Sequence, residues 1–383
     1  MRFFHLSDLH IGKQLHHYNL QEDQIHILRQ IAEYARTERP DAVVIAGDIY
    51  DKAAPSGEAV AIFDSFLTEL SRIRPQIPIL IISGNHDSPK RLQFASSILR
   101  ENQIYIAAAA PAAPQDRLTK VTLEDAYGEV CFYLLPFVKP GYVRRALGEE
   151  SADSYDAVVR KLIGRENIDL EKRNVLVSHQ FYTAGSHVPE LSDSETVHVG
   201  GMDNVDIQAL AGFDYAALGH IHGAQKVKEP WVRYCGTLLK YSVSEWKQEK
   251  ALLEVTLKGK GEEPEFRKLP LSPLYDVTRR KGTLAELLEK ERCEDYVSVT
   301  LTDEGELYQP RELLERVYPR ILEVKAENSR TRSLLEETEG VSWEQDPGAA
   351  FAVFFRQMQG REMTEEEKRI MSSMLDRAKE EAI

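Results

Sequence analysis

Short apolar runs recur from Phe3 to Leu218, and just beyond each stands a polar residue able to hold a metal. The runs are Phe3-Phe4, Ala42-Val43-Val44-Ile45, Ile79-Leu80-Ile81-Ile82, Val175-Leu176-Val177 and Ala216-Ala217-Leu218. Beyond them come Asp8-Leu9-His10, Gly47-Asp48, Gly84-Asn85-His86-Asp87, Ser178-His179 and Gly219-His220-Ile221-His222. Runs this short and continuously apolar fit strands buried on both faces. Apolar residues return at helical spacing after the first three: Leu28, Ile31, Ala32 and Ala35; then Val60, Phe63, Leu67 and Leu70; then Leu92, Ala95 and Leu99. Pro55-Ser56 reads as the entrance of the second helix. Strand, helix, strand at this spacing predicts right-handed parallel crossovers. Polar residues just past such strands lie on the carboxyl edge of an open α/β sheet, where ligands bind.

The pattern turns to hairpins from Val121 onward. Ala126-Tyr127-Gly128-Glu129 reads as a turn before a strand over 130–135, with further strands over 232–235 and 252–257. The expected fold class is α/β, a two-layer mixed β-sandwich flanked by helices. A small α+β unit follows, with strands over 275–278, 296–301 and 321–324 and helices at Leu284, Leu287 and Leu288 and at Leu313, Leu314 and Val317. The polar stretch that follows is too charged to build a core. Two helical patterns close the chain: Phe351, Phe354, Phe355 and Met358, then Ile370, Met371, Met374, Leu375 and Ala378. The expected domains are 1–265, 272–328, a linker over 329–347 and a helical segment over 348–383.

A length of 383 residues suggests more than one domain. With 42% hydrophobic and 29% charged residues the chain reads as globular, and no apolar stretch is long enough to span a bilayer. The short apolar start argues against a cleavable signal peptide, so a cytoplasmic location is expected. Cys131, Cys235 and Cys293 are too few and too scattered for a disulfide framework or a zinc knuckle. A net charge of −14 is a poor match to a protein that coats nucleic acid nonspecifically. It leaves nucleic acid open as a substrate, because bound divalent cations invert the local field. Arg279-Arg280-Lys281 is a short basic run, with a solvated surface and a DNA contact as its two readings.

The chemistry comes from the seven residues Asp8, His10, Asp48, Asn85, His179, His220 and His222. His220 and His222 share one face of an extended segment. Oxygen and imidazole donors without thiolate favour manganese, iron or zinc over magnesium or calcium. Seven donors exceed one ion's needs but suit two ions sharing an Asp, about 3.5–4 Å apart, the arrangement that clamps a phosphoester displacement. His5, His16, His17, His26, His187 and His198 read as surface or packing residues.

In this order, the motifs resemble the calcineurin-like metallophosphoesterase superfamily over about the first 250 residues. The resemblance implies Asp8, His10, Asp48 and His222 around one ion, with Asp48 bridging to a second held by Asn85, His179 and His220. Manganese is the expected pair. It also implies that His86 protonates the leaving oxygen, with Asp87 holding its imidazole in place. Lys52 and Asp87 depart from the Arg and Glu of the superfamily's protein phosphatases. The opening Leu6-Ser7-Asp8-Leu9-His10-Ile11-Gly12-Lys13 and the segment Gly47-Asp48-Ile49-Tyr50-Asp51-Lys52 instead resemble the SbcD-type family of bacterial nuclease subunits. That likeness implies a 3′-to-5′ exonuclease on duplex DNA ends and an endonuclease on single strands and hairpins. Such a nuclease serves DNA repair, recombination and replication. It implies a small capping domain that binds DNA, with Arg279, Arg280 and Lys281 as candidates. It further implies a terminal helical pair gripping an SbcC-type coiled-coil ATPase through Phe351, Phe354, Phe355, Met358, Met371, Met374 and Leu375, and a homodimer within a heterotetramer. Two other readings stay open from the residues: a small-molecule or cyclic-nucleotide phosphodiesterase, and an inactive scaffold of the same fold.

Overall fold

The computed structural model describes residues 1–147, 154–195, 203–329, 348, 351–352, 355 and 361–381, with only the backbone at 373 and 375–381. Two compact units divide the chain, Met1–Thr278 and Arg279–Ile383.

The first unit opens with Arg2–Leu6 (β1), helix Gln21–Glu38 (α1), Ala42–Ala46 (β2), helix Gly57–Ser71 (α2), Ile79–Ile82 (β3) and Ile104–Ala107 (β4). The expected helix entrance is there: Ser56 Oγ accepts the Ala59 N–H at 3.2 Å. The single helix expected over Leu92, Ala95 and Leu99 is instead two short ones, Pro89–Leu92 and Ser96–Arg100. Ala95 sits between them at φ 57°, a left-handed backbone that cannot continue a helix. Thr119–Asp125 (β5), Gly128–Leu135 (β6), Arg173–Ser178 (β7), Tyr215–Leu218 (β8), Gln225–Lys226 (β9), Val232–Tyr234 (β10), Ala251–Thr256 (β11) and Glu265–Pro270 (β12) complete the strands that build two sheets.

The order of the first sheet is β12-β11-β1-β2-β3-β4, and that of the second is β9-β10-β8-β7-β6-β5. Both are mixed. β1 runs parallel to β2 with Phe3 beside Ala42, and antiparallel to β11 with Phe3 beside Val255. Between the sheets lies one apolar core containing Phe3, Val44, Ala46, Leu80 and Ile82 from the first and Phe132, Leu134, Val175, Val177 and Ala217 from the second. Phe3 and Phe132 meet edge to face across it at 5.5 Å. The central strands are buried throughout, which is why they read as unbroken apolar runs. The carboxyl ends of β1, β2, β3, β7 and β8 lead directly into the metal motifs.

The second unit carries the strand Val277–Gly282 across its boundary, with Tyr296–Leu301 and Arg320–Ala326 completing a three-stranded sheet. The first of these begins and ends later than the expected 275–278. Two short helices, Leu284–Leu288 and Pro310–Leu314, accompany it. Leu287, Val297, Val299, Leu301, Leu314, Tyr318 and Ile321 form its own core. The last helix, Glu365–Glu381, starts on reciprocal bonds between Thr364 and Glu367.

Candidate metal centre

Beyond β1 and β2 the chain does not diverge. Asp8 N–H donates to the Gly47 carbonyl at 3.0 Å, His10 N–H to the Asp48 carbonyl at 3.0 Å and Ile11 N–H to the Ile49 carbonyl at 2.9 Å. This zipper sets Asp8, His10 and Asp48 side by side. It also bends the chain sharply, since Asp8, His10, Asp48 and His220 have φ of 52°, 43°, 49° and 100°. Each such non-glycine residue costs about 1–3 kcal/mol, so four together mark a built site rather than a relaxed loop. Two glycines make the close approach possible. A Cβ on Gly84 would run into the Asp48 carboxylate, and one on Gly219 would strike the Ala46 carbonyl and lie 2.7 Å from His179 Nδ1.

The seven expected donors meet. His10 Nε2 faces His222 Nε2 at 3.2 Å. Asp48 Oδ2 lies 3.7 Å from His10 Nε2 and 3.4 Å from His179 Nε2. Asn85 Oδ1 takes His179 Nε2 at 3.1 Å and His220 Nδ1 at 3.0 Å. Donor atoms of Asp8, His10 and His222 cluster within 4.8 Å of one another, and so do those of Asp8, Asp48 and His179. Asp8, His10, Asp48, His179 and His222 are buried, whereas Asn85 is exposed and His86 and His220 are half-buried, so the centre opens to solvent on that side.

Electrostatics without a cation are frustrated. Burial pushes the Asp8 carboxyl up. Burial pushes the imidazoles of His10 and His220 down, the latter to about 3. His179 is desolvated too, yet the Asp48 charge outweighs that and pulls it up to about 9. Two carboxylates, four imidazoles and a carboxamide oxygen, brought together with too few protons to satisfy one another, fit divalent cations.

His86 lies at the open rim, its ring 4.9 Å from that of His10. Its N–H donates to Asp48 Oδ1 at 2.9 Å. Here the structure corrects one expectation, because Asp87 does not hold the His86 imidazole. The Asp87 carboxylate is occupied by the backbone N–H groups of Gly84 at 2.9 Å, Ile49 at 3.1 Å and Tyr50 at 3.0 Å, stitching the third motif to the second. Burial, aided by the Asp48 charge, raises it to about 6 against those three donors. What holds the imidazole is a residue given no role by sequence: the Asp51 carbonyl accepts from His86 Nδ1 at 2.8 Å. Lys13 fixes Asp51 through a 2.9 Å ion pair. A backbone acceptor leaves no trace in side-chain identity, so only the nearness of Asp51 to Asp48 pointed this way.

The other candidates sit in the second unit. Arg279, Arg280 and Lys281 lie on the strand Val277–Gly282, with Arg279 and Lys281 exposed and Arg280 half-buried. Lys281 pairs with Glu327 at 2.7 Å. Phe351 and Met374 are exposed and Phe355 and Met371 half-buried. Phe354, Met358 and the side chain of Leu375 lie outside the described residues. No helix among the described residues is long and apolar enough to cross a membrane.

The calcineurin-like phosphoesterase family matches residues 1–224, and a family described as the type 5 capsule protein repressor C-terminal domain matches residues 273–359. The SbcD component of the nuclease SbcCD from Staphylococcus epidermidis is 29% identical, over 98% of this chain and 100% of its own length. Its counterpart of the same name from Staphylococcus saprophyticus is 30% identical over 84% of each. A solved dimetal phosphatase from Danio rerio aligns at TM-score 0.37 and 15% identity, over 71% of this chain and 99% of its own.

Proposed function

This chain belongs to the calcineurin-like phosphoesterase family, among its SbcD nucleases, and from that premise we propose that it hydrolyses DNA phosphodiesters as the nuclease of a two-component complex. The observation that carries the proposal is the convergence of Asp8, His10 and His222, and of Asp8, Asp48 and His179, on shared space. Asp8, His10, Asp48 and His222 would hold one divalent ion and Asn85, His179 and His220 the other, with Asp48 common to both and manganese the pair we expect. Bound there, such ions supply electrophilic activation of the phosphoryl group and of water.

The chain's own residues do the rest. His86 stands at the open rim with Nδ1 bonded to the Asp51 carbonyl, so its Nε2 is free to pass a proton to the departing sugar oxygen. The carbonyl stabilises the imidazolium that this step needs, and proton transfer of this kind contributes about 10²–10⁴-fold. Asp87 keeps the second and third motifs in register, so the His86 N–H to Asp48 bond survives turnover. We give residues 1–265 the nuclease role, with 272–328 capping it and 329–347 linking it to the helical segment over 348–383. Arg279, Arg280 and Lys281 would neutralise phosphates, since alternation along their strand sets two of them on one exposed face. Ile370 and Met374, one helical turn apart and 55% and 68% exposed, suit a groove on an SbcC-type coiled-coil ATPase. We further expect 3′-to-5′ exonuclease action on duplex ends, endonuclease action on single strands and hairpins, a homodimer within the complex and a cytoplasmic setting.

The test is direct: purified protein with manganese on linear duplex DNA, on a hairpin and on a cyclic nucleotide, with and without the ATPase. Cleavage of DNA supports the proposal. Hydrolysis of the small diester alone overturns it in favour of a small-molecule phosphodiesterase.

A further inference from the structure

We propose that Ser194 and Glu245 are positioning residues that hold His222 in its Nδ1–H tautomer, leaving Nε2 as the lone-pair side. The inference rests on the metal-centre reading above and adds residues that reading does not use. Ser194 Oγ lies 2.7 Å from His222 Nδ1 and 2.8 Å from Glu245 Oε1. Glu245 is fully buried. Its other oxygen, Oε2, accepts from Lys250 Nζ at 2.6 Å.

Proton counting then fixes every direction in the string. A carboxylate paired with a lysine has nothing to donate, so the bond between Ser194 and Glu245 uses the hydroxyl proton. A serine has only one such proton. Toward His222, therefore, Ser194 Oγ offers a lone pair, and Nδ1 must carry hydrogen to meet it. A neutral imidazole has one N–H, so Nε2 is left bare. That bare nitrogen is the one 3.2 Å from His10 Nε2, and His222 shares a donor cluster with His10 and Asp8.

Lys250 completes the arrangement from the backbone side. Its Nζ also donates to the His222 carbonyl at 3.1 Å and to Thr237 Oγ1 at 2.6 Å, and Thr237 N–H reaches the same carbonyl at 3.1 Å. Ring and main chain of His222 are thus held by one buried assembly. A buried ion pair is a poor source of stability, because desolvating both charges offsets their attraction. Its position against a ligand imidazole gives it a purpose, the orienting role that carboxylates play behind metal-bound histidines. His179 Nδ1 also carries hydrogen, since it lies 2.7 Å from the Ala46 carbonyl, which can only accept.

The experiment uses the full-length chain labelled with ¹⁵N at histidine. Long-range ¹H–¹⁵N spectra of the metal-free protein read the His222 tautomer, and calorimetric titration with manganese reads site number and affinity. Two variants are compared with wild type. In Glu245→Gln the new amide donates to Ser194, whose hydroxyl then turns to donate to Nδ1. The expected result is a switch to Nε2–H and an affinity loss of about 10–100-fold at one site, with the other site unchanged. Ser194→Ala, which removes the acceptor, gives a mixed tautomer and a smaller loss at that same site. It decides the matter alone if Glu245→Gln does not fold. A wild-type His222 with hydrogen on Nε2, or variants with wild-type tautomer and affinity at both sites, would overturn the proposal. If wild-type protein takes up no manganese the metal reading falls instead, and the tautomer, read without metal, still decides this one.

Discussion

The metal centre and the second unit write function in opposite ways. In the centre, each candidate donor is fixed at the end of a buried strand. The backbone zipper between Asp8–Ile11 and Gly47–Ile49, together with Asp87, ties one motif to the next. The second unit has a small core, and its candidate contacts are what that core leaves outside: Arg279 and Lys281 on a strand face, Ile370 and Met374 on a helix. Chemistry on a phosphodiester needs donors held within fractions of an ångström, so it sits where packing is dense. Recognition of a partner needs exposed surface, so it sits where packing is thin. A substitution should therefore disturb the first region through geometry and the second only through binding.

The largest expected effect is at Asp48, the residue proposed to serve both ions. Asp48→Ala should lower DNA cleavage by at least about 10³-fold, beyond what one electrostatic group alone supplies, and should reduce bound manganese as measured by metal analysis. Unchanged activity would mean that the donors do not act together. Next comes His86→Ala, with an expected loss of about 10²–10⁴-fold in kcat and full metal content. A variant that lost metal in parallel would recast His86 as a ligand, which its place in a cluster with His10 and Asp48 makes a fair challenge.

Asp87→Ala separates holding the loops from chemistry. Three backbone N–H groups lose their acceptor at once, each worth about 1–3 kcal/mol when left buried and unpaired. Thermal unfolding should shift well below that of His86→Ala, and an equal melting temperature would contradict the stitching role. A smaller effect is expected at His5, which is buried, bonded to the Tyr215 hydroxyl at 2.9 Å and, through burial, pushed down to about 3. The unfolded chain takes up a proton there near pH 6.5 and the folded one does not. Stability from this group is therefore complete above pH 6.5 and declines as pH falls toward 3, with a slope of about 1.4 kcal/mol per unit. Urea unfolding of metal-free His5→Leu at several pH values should show that slope reduced relative to wild type. Smallest on the fold, Ile370→Asp with Met374→Asp should change stability within about 0.5 kcal/mol while weakening capture of the coiled-coil ATPase. A large loss of stability would place this face inside the protein's own core.

The seven candidate donors were legible because each follows a strand buried on both faces, where an apolar run ending in Asp, Asn or His is hard to produce by accident. Strand Val277–Gly282 was harder, since Val277 is its one buried residue and the rest, alternately half-buried and exposed, carries no apolar side chain. The broken helix at Ala95 was invisible, because alanine favours helix and gives no sign of a left-handed turn. The job of Asp87 was misread for a related reason. Its partners are backbone N–H groups, which any sequence possesses. Ser194 and Glu245 were missed because they act through His222 from distant points in the chain.

One measurement tests the centre most directly: diffraction from crystals grown with manganese, recorded at its absorption edge. Two anomalous peaks about 3.5–4 Å apart, with Asp48 between them and His179 and His222 on opposite sides, are the predicted result. A single peak, or none touching Asp48, would contradict it.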